Sequence, residues 1–219
     1  HGAGSACGKS LSSETVSTIG VQRETNYALA PMDRDRFVEL VTEGQSAAPG
    51  YFGYDASRNR QDRPVLDKAT PVPVLDLASV DAAVADGAVV VDTRPTHDVA
   101  AGHLAGSLAV GLDGRFAEQV GSIVAPDVPV VLVADPEAAA EARVRLARIG
   151  FDRVVGTLTD LDAVLTAHPE RAGRLSRLTA SDLAERRERL GDDLQLVDVR
   201  NPGEVEAAPV DGAVTIPLA

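Results

Sequence analysis

The centre of the chain alternates between two hydrophobic periods. Ala88-Val89-Val90-Val91-Asp92 and Pro129-Val130-Val131-Leu132-Val133 are short, nearly continuous β-branched runs, the pattern of strands buried on both faces. Around them lie windows with apolar residues at helical spacing: Val80 to Ala85, Arg115 to Val120 and Glu137 to Ile149. A further short strand is expected at Val154-Val155, after a stop at Gly150-Phe151. This βα alternation predicts a parallel sheet with helices on both faces. Upstream, Ser12 to Asn26 reads as helical. A second helix is expected from Asp33, whose carboxylate can cap it, through Phe37, Val38, Leu40 and Val41 to a stop at Gly44. The aromatic-rich Pro49 to Tyr54 reads as irregular, and Pro64 to Pro73 as a linker or an extended strand leading into the sheet.

The end of the chain repeats its centre. Val91-Asp92-Thr93-Arg94-Pro95 matches Val197-Asp198-Val199-Arg200-Asn201 at an offset of 106 residues. Without a gap, Gly106-Ser107 then matches Gly212-Ala213, and Leu112 matches Leu218. Such an offset suits a duplicated small domain rather than a solenoid unit. The second copy reaches Ala219 without counterparts of the Pro129 strand and the Glu137 helix. The chain opens on His1, and its single methionine is Met32. These features carry the expectation of a piece of a longer protein, cut at both ends.

Composition narrows the function classes. Apolar residues make up 44% of the 219 and charged residues 25%, enough for an ordinary core; with aromatics at 3% and no Trp, Val, Leu and Ala must fill it. A formal charge of −12 argues against nucleic acid and anionic membranes as partners. No apolar run approaches the roughly 20 residues of a membrane span, and no signal peptide opens the chain. A cytoplasmic location is expected. One cysteine, Cys7, excludes a disulfide framework and a thiolate-only metal cage.

Val91-Asp92-Thr93-Arg94, then Ala101-Gly102-His103-Leu104-Ala105-Gly106-Ser107, the Pro129 strand and the Arg148-Ile149-Gly150-Phe151 helix end together resemble a rhodanese domain over about 100 residues. The resemblance implies a five-stranded parallel sheet. It also implies sulfane-sulfur transfer through a cysteine at the end of the central strand, where amides leading into a helix would stabilise a thiolate. At that position the chain has Ala134-Asp135, neither of which can carry sulfur. Asp135, Pro136 and Glu137 instead suit the cap and first two positions of a helix. The expected catalytic set is therefore empty. Asp92 and Arg94, with Asp198 and Arg200 in the second copy, are expected as paired structural residues, and His103 as a hydrogen-bonded turn histidine. His97 and His168 have no partner at metal-ligand spacing.

The opening residues read in two ways. Ala3-Gly4-Ser5-Ala6-Cys7-Gly8-Lys9-Ser10 satisfies a relaxed P-loop pattern, which predicts nucleotide binding. Alternatively His1 to Ser5, Ser17 to Gly20 and Thr25 to Leu29 resemble the C-terminal end of a metallo-β-lactamase-fold domain, of the persulfide-dioxygenase-like and glyoxalase-II-like branch fused to tandem rhodanese domains. That resemblance implies an upstream HxHxDH metal cluster holding iron or zinc, to which His1 would belong only together with those ligands. It implies persulfide or another sulfane-sulfur compound as substrate and allows a homo-oligomer. The fragment itself is expected to hold no cofactor. The expected domains are 1–63, a metallo-β-lactamase-fold remnant; 64–175, a rhodanese-like domain lacking its cysteine; and 176–219, a truncated second rhodanese-like copy. A non-catalytic interaction module is the remaining alternative.

Overall fold

A computed structural model of the chain describes residues 16–43 and 49–217. Two compact units divide at residues 48 and 49.

In the first unit, α1 is Ile19–Thr25 and α2 is Arg34–Thr42. The helix expected from Ser12 is not yet formed at Val16 to Thr18. It starts where the Thr18 hydroxyl accepts the Val21 amide at 3.3 Å, a cap that fixes the N-terminus. The second helix starts as expected, with Asp33 Oδ1 accepting the Arg36 amide at 2.8 Å.

In the second unit, α3 is Tyr51–Arg58. Sequence reading expected irregular chain at its start, because Pro49, Gly50 and Gly53 weigh against a helix. Tertiary packing decides otherwise: Tyr51 is buried in the core, with Phe52 packed edge-on against it at 5.2 Å. Then follow α4 (Leu77–Ala85), β1 (Val89–Asp92), α5 (Thr96–Ala101), β2 (His103–Leu104), β3 (Leu108–Ala109), α6 (Phe116–Ile123), β4 (Val130–Val133), α7 (Pro136–Ala147), β5 (Val154–Leu158), α8 (Leu161–Ala167) and β6 (Ala172–Gly173). The sheet is parallel, in the order β3-β1-β4-β5. The fifth strand that the resemblance implied is reduced to one bridging residue, Val74 opposite Thr157, with the Leu75 amide donating to the Thr157 carbonyl at 2.8 Å.

The strand pleat separates two cores. Val91, Val130 and Leu132 pack on one face with Phe116, Val120, Ala139, Ala142 and Leu146 of α6 and α7. Val90, Val131 and Val133 pack on the other with Val80 of α4 and Leu161 of α8. Every residue of β4 is buried, which is why its sequence carries no polar alternation. The chain closes with α9 (Ala180–Leu190), β7 (Leu196–Asp198), α10 (Pro202–Ala207) and β8 (Ala213–Thr215).

The 106-residue repeat holds at atomic detail. Val91 and Asp92 pair with Leu108 and Ala109; Val197 and Asp198 pair with Val214 and Thr215. The Val110 amide donates to the Asp92 carbonyl at 3.0 Å, and the Ile216 amide to that of Asp198 at 2.9 Å. Gly106 and Gly212 both take φ in the left-handed region, +87° and +72°, where a side chain would be strained.

Candidate functional site

In an open parallel sheet, ligands collect beyond the carboxyl ends of the strands where the connections diverge. Here β1 leads outward to β3 and β4 leads the other way to β5, so that point lies between the ends of β1 and β4, at Thr93 and Ala134-Asp135. The chain itself fills it. Thr93 is buried and sends both its amide and its hydroxyl to the Val133 carbonyl, at 3.1 and 3.0 Å. Ala134 is also buried; its amide donates to the Leu158 carbonyl at 3.2 Å, and its carbonyl accepts the buried Thr157 hydroxyl at 2.9 Å.

Only Ala134 and Asp135 separate β4 from α7. Two residues cannot curl into a cradle of inward-facing amides. Asp135 caps the helix, its Oδ1 accepting the Ala138 amide at 2.9 Å, and Pro136 at N1 has no amide to offer an anion. Thus the helix end that could stabilise a thiolate or an anionic sulfur donor is occupied by the chain's own carboxylate. Ala134 and Asp135 supply no nucleophile.

Asp92 and Arg94 lie beside this point as a closed pair. The Asp92 side chain is fully buried. Arg94 donates to it through Nε at 3.0 Å, through Nη2 at 2.8 Å and through its backbone amide at 3.1 Å. Nη2 also reaches the Gly102 carbonyl at 2.7 Å, tying the turn before β2 to the end of β1. The hydrogen bonds to Asp92 hold the Arg94 guanidinium above its ordinary pKa. Asp198 and Arg200 copy this arrangement, with Nη2 of Arg200 on Asp198 at 2.6 Å and on the Ala208 carbonyl at 2.8 Å. The Arg200 contact holds the Asp198 carboxyl below the usual range. Each arginine turns Nε and Nη2 to its own carboxylate and a carbonyl, which is a structural clamp.

Nδ1 of His103 lies 2.9 Å from the Val99 carbonyl, and the ring covers Gly173, its partner in the β2–β6 pair. A Cβ at Gly173 would collide with that imidazole. His97 and His168 are exposed beside Asp98 and Glu170. His1, Cys7 and the stretch Ala3 to Ser10 lie outside the described residues. Among the described residues, no group of three or more His, Cys, Asp or Glu side chains could hold a metal ion, so they do not fit an iron or zinc centre.

Sequence reasoning missed the residues that close the site: Thr93, Thr157, and Arg145, whose guanidinium stacks on Phe116 and donates to the Leu112 and Gly114 carbonyls of the loop after β3. A threonine at the end of a β-branched run was the available signal. A shallow groove of about 650 Å³, lined by Lys68, Ala140, Glu141, Val144, Arg145 and Arg148, runs along α7 away from the strand ends. No helix among the described residues is long and apolar enough to cross a membrane.

No family model matches the sequence, and no curated protein matches it. Among solved structures, a metallo-β-lactamase from Staphylococcus aureus is similar at 26% identity and a TM-score of 0.58, over 73% of this chain and 43% of its own. The chain thus spans less than half the length of that protein. A match of this extent is too long to lie within residues 1–48 and includes much of the α/β unit. A rhodanese-like domain from Anabaena sp. is similar at 18% identity and a TM-score of 0.39, over 49% of this chain and 85% of its own. A thiosulfate sulfurtransferase from Pseudomonas aeruginosa gives 17% and 0.36, over 67% of this chain and 34% of its own. The neighbours include both a metallo-β-lactamase and rhodanese-like domains.

Proposed function

We propose that the chain is part of a metallo-β-lactamase-fold protein fused to rhodanese-like domains, and that its first rhodanese-like copy is a non-catalytic domain in sulfur metabolism. On this reading the domains run 1–63, 64–175 and 176–219. The observation that carries it is the helix N-terminus after β4, where Ala134, the Asp135 cap and Pro136 replace a sulfur-carrying cysteine and its anion-stabilising amides. The similarity to the Staphylococcus aureus metallo-β-lactamase supports the fusion.

The whole protein would oxidise or transfer the sulfur of a persulfide or another sulfane-sulfur compound in the cytoplasm. Iron or zinc would be held by ligands other than the described residues. What the described residues contribute is a sealed α/β body, with Asp92 and Arg94 fixing the turn to β2 and Thr93 closing the sheet end. The test is a thiosulfate–cyanide sulfurtransferase assay on the whole chain. Thiocyanate formation at the protein-free rate is expected. Turnover that survives Cys7→Ser would overturn the reading.

A further inference from the structure

Residues 49–63 are fastened to the rest of the α/β unit by side chains. Among the described residues, the backbone hydrogen bonds of this segment close within it, as from Asn59 to Asp55 at 2.9 Å and from Gln61 to Arg58 at 3.1 Å. One face of α3 carries Tyr51, Tyr54 and Arg58, at the i, i+3 and i+7 spacing of a helix stripe. Each has a seat. A Cβ on Gly121 would come within 2.5 Å of the Tyr51 ring, and one on Gly150 within 3.0 Å of the Tyr54 ring. Arg58 and Arg63 share Asp152, their Nη2 and Nη1 lying 2.7 and 3.0 Å from the same Oδ2. Without those seats α3 is a poor helix. It has eight residues, its N-cap Gly50 makes no side-chain hydrogen bond, and Gly53 lies inside it. A helix this short is marginal in water. The connector that follows is pinned separately, Nη2 of Arg143 donating to the Asp67 and Thr70 carbonyls at 3.1 and 2.5 Å.

We infer that residues 49–63 form a releasable clasp, which folds as a helix only when docked and sets the length of the connection between the two compact units. Docked, residues 43–50 join the end of α2 to α3, a reach of at most about 30 Å. Released, residues 43–66 join α2 to the connector held by Arg143, a reach of at most about 85 Å. Release uncovers Gly121, Ile149 and Gly150 and frees Asp152. The sheet β3-β1-β4-β5 keeps its own backbone pairing throughout, because none of it runs through the clasp. The inference goes beyond the proposed function and does not depend on it.

The test is native-state amide exchange on the whole chain, at urea concentrations below the unfolding transition. The Asn59 amide reports the clasp. The Val130 and Ala134 amides, which donate to the Arg153 and Leu158 carbonyls at 2.8 and 3.2 Å, report the sheet. Corrected for intrinsic rates, Asn59 is expected to exchange about tenfold or more faster than the sheet amides, with little dependence on urea. Val131→Ala weakens the docked and released states alike relative to the unfolded chain. It is expected to speed the sheet amides by about tenfold or more and to leave Asn59 unchanged. Tyr54→Ala and, separately, Asp152→Asn are expected to speed Asn59, by about tenfold and about threefold. Exchange of Asn59 at the rate and urea dependence of the sheet amides, or its acceleration by Val131→Ala in step with them, would overturn the inference. So would an Asn59 rate indifferent to both clasp variants.

Discussion

Removing the Asp92 carboxylate is the sharpest test of the clamp at the end of β1. In Asp92→Ala, the Arg94 guanidinium loses the two contacts at 3.0 and 2.8 Å and keeps only the Gly102 carbonyl at 2.7 Å. The Arg94 backbone amide loses its acceptor too. Breaking one side of a buried ion pair costs about 3–5 kcal/mol, because the remaining charge is left uncompensated. Arg94 retains 22% side-chain exposure, so water recovers part of that cost and the lower end applies, about 3 kcal/mol. At a slope near 2 kcal/mol per molar urea, the midpoint falls by about 1.5 M. The double variant Asp92→Ala with Arg94→Leu removes the orphaned charge and should regain a large part of the loss. Asp198→Ala should destabilise less, since the Arg200 side chain is 37% exposed. A loss below about 1 kcal/mol for Asp92→Ala, or a double variant no more stable than the single, would refute the reasoning.

Other perturbations follow from the same contacts. Asp135→Ala removes the α7 cap and should cost about 1 kcal/mol by chemical denaturation, with no gain in sulfur transfer. Gly121→Ala places a Cβ 2.5 Å from the Tyr51 ring, and overpacking of this kind should cost about 1–3 kcal/mol in the same assay. Acid should weaken the fold through Asp67, Asp81, Asp182 and Asp198, whose carboxyls are held low by Thr70, Arg171, the Thr179 backbone amide and Arg200, respectively. Depressed folded values mean that this stabilisation is present above the unfolded pKa of about 4 and is lost as pH falls through the lower folded values. Urea midpoints should therefore hold from pH 7 to 5 and decline below about pH 4; a midpoint unchanged to pH 3 would contradict this.

The strands and the repeat were legible because they rest on patterns that local chemistry writes directly. Val130 to Val133 is apolar throughout because both faces of that strand are buried, and the 106-residue offset reappears as matched hydrogen bonds at Asp92 and Asp198. The Asp33 and Asp135 caps were legible for the same reason. Helix α3 was not, since its packing, Tyr51 against Gly121, Tyr54 beside Gly150 and Arg58 on Asp152, overrides its unfavourable glycines. The short helices α5 and α8 were missed as well, six and seven residues whose packing outweighs a weak periodicity. The sequence pointed to a missing nucleophile at Ala134, but the filling of the site by Thr93 and Thr157 depends on strands brought together across 40 and 23 residues.

The central claim, that the first rhodanese-like copy carries no sulfur, is tested most directly by intact-mass measurement of the Cys7→Ser chain after incubation with thiosulfate or a persulfide donor. That variant has no cysteine left. An unchanged mass is the predicted result. A stable gain of one sulfur atom, removable by cyanide, would contradict the account.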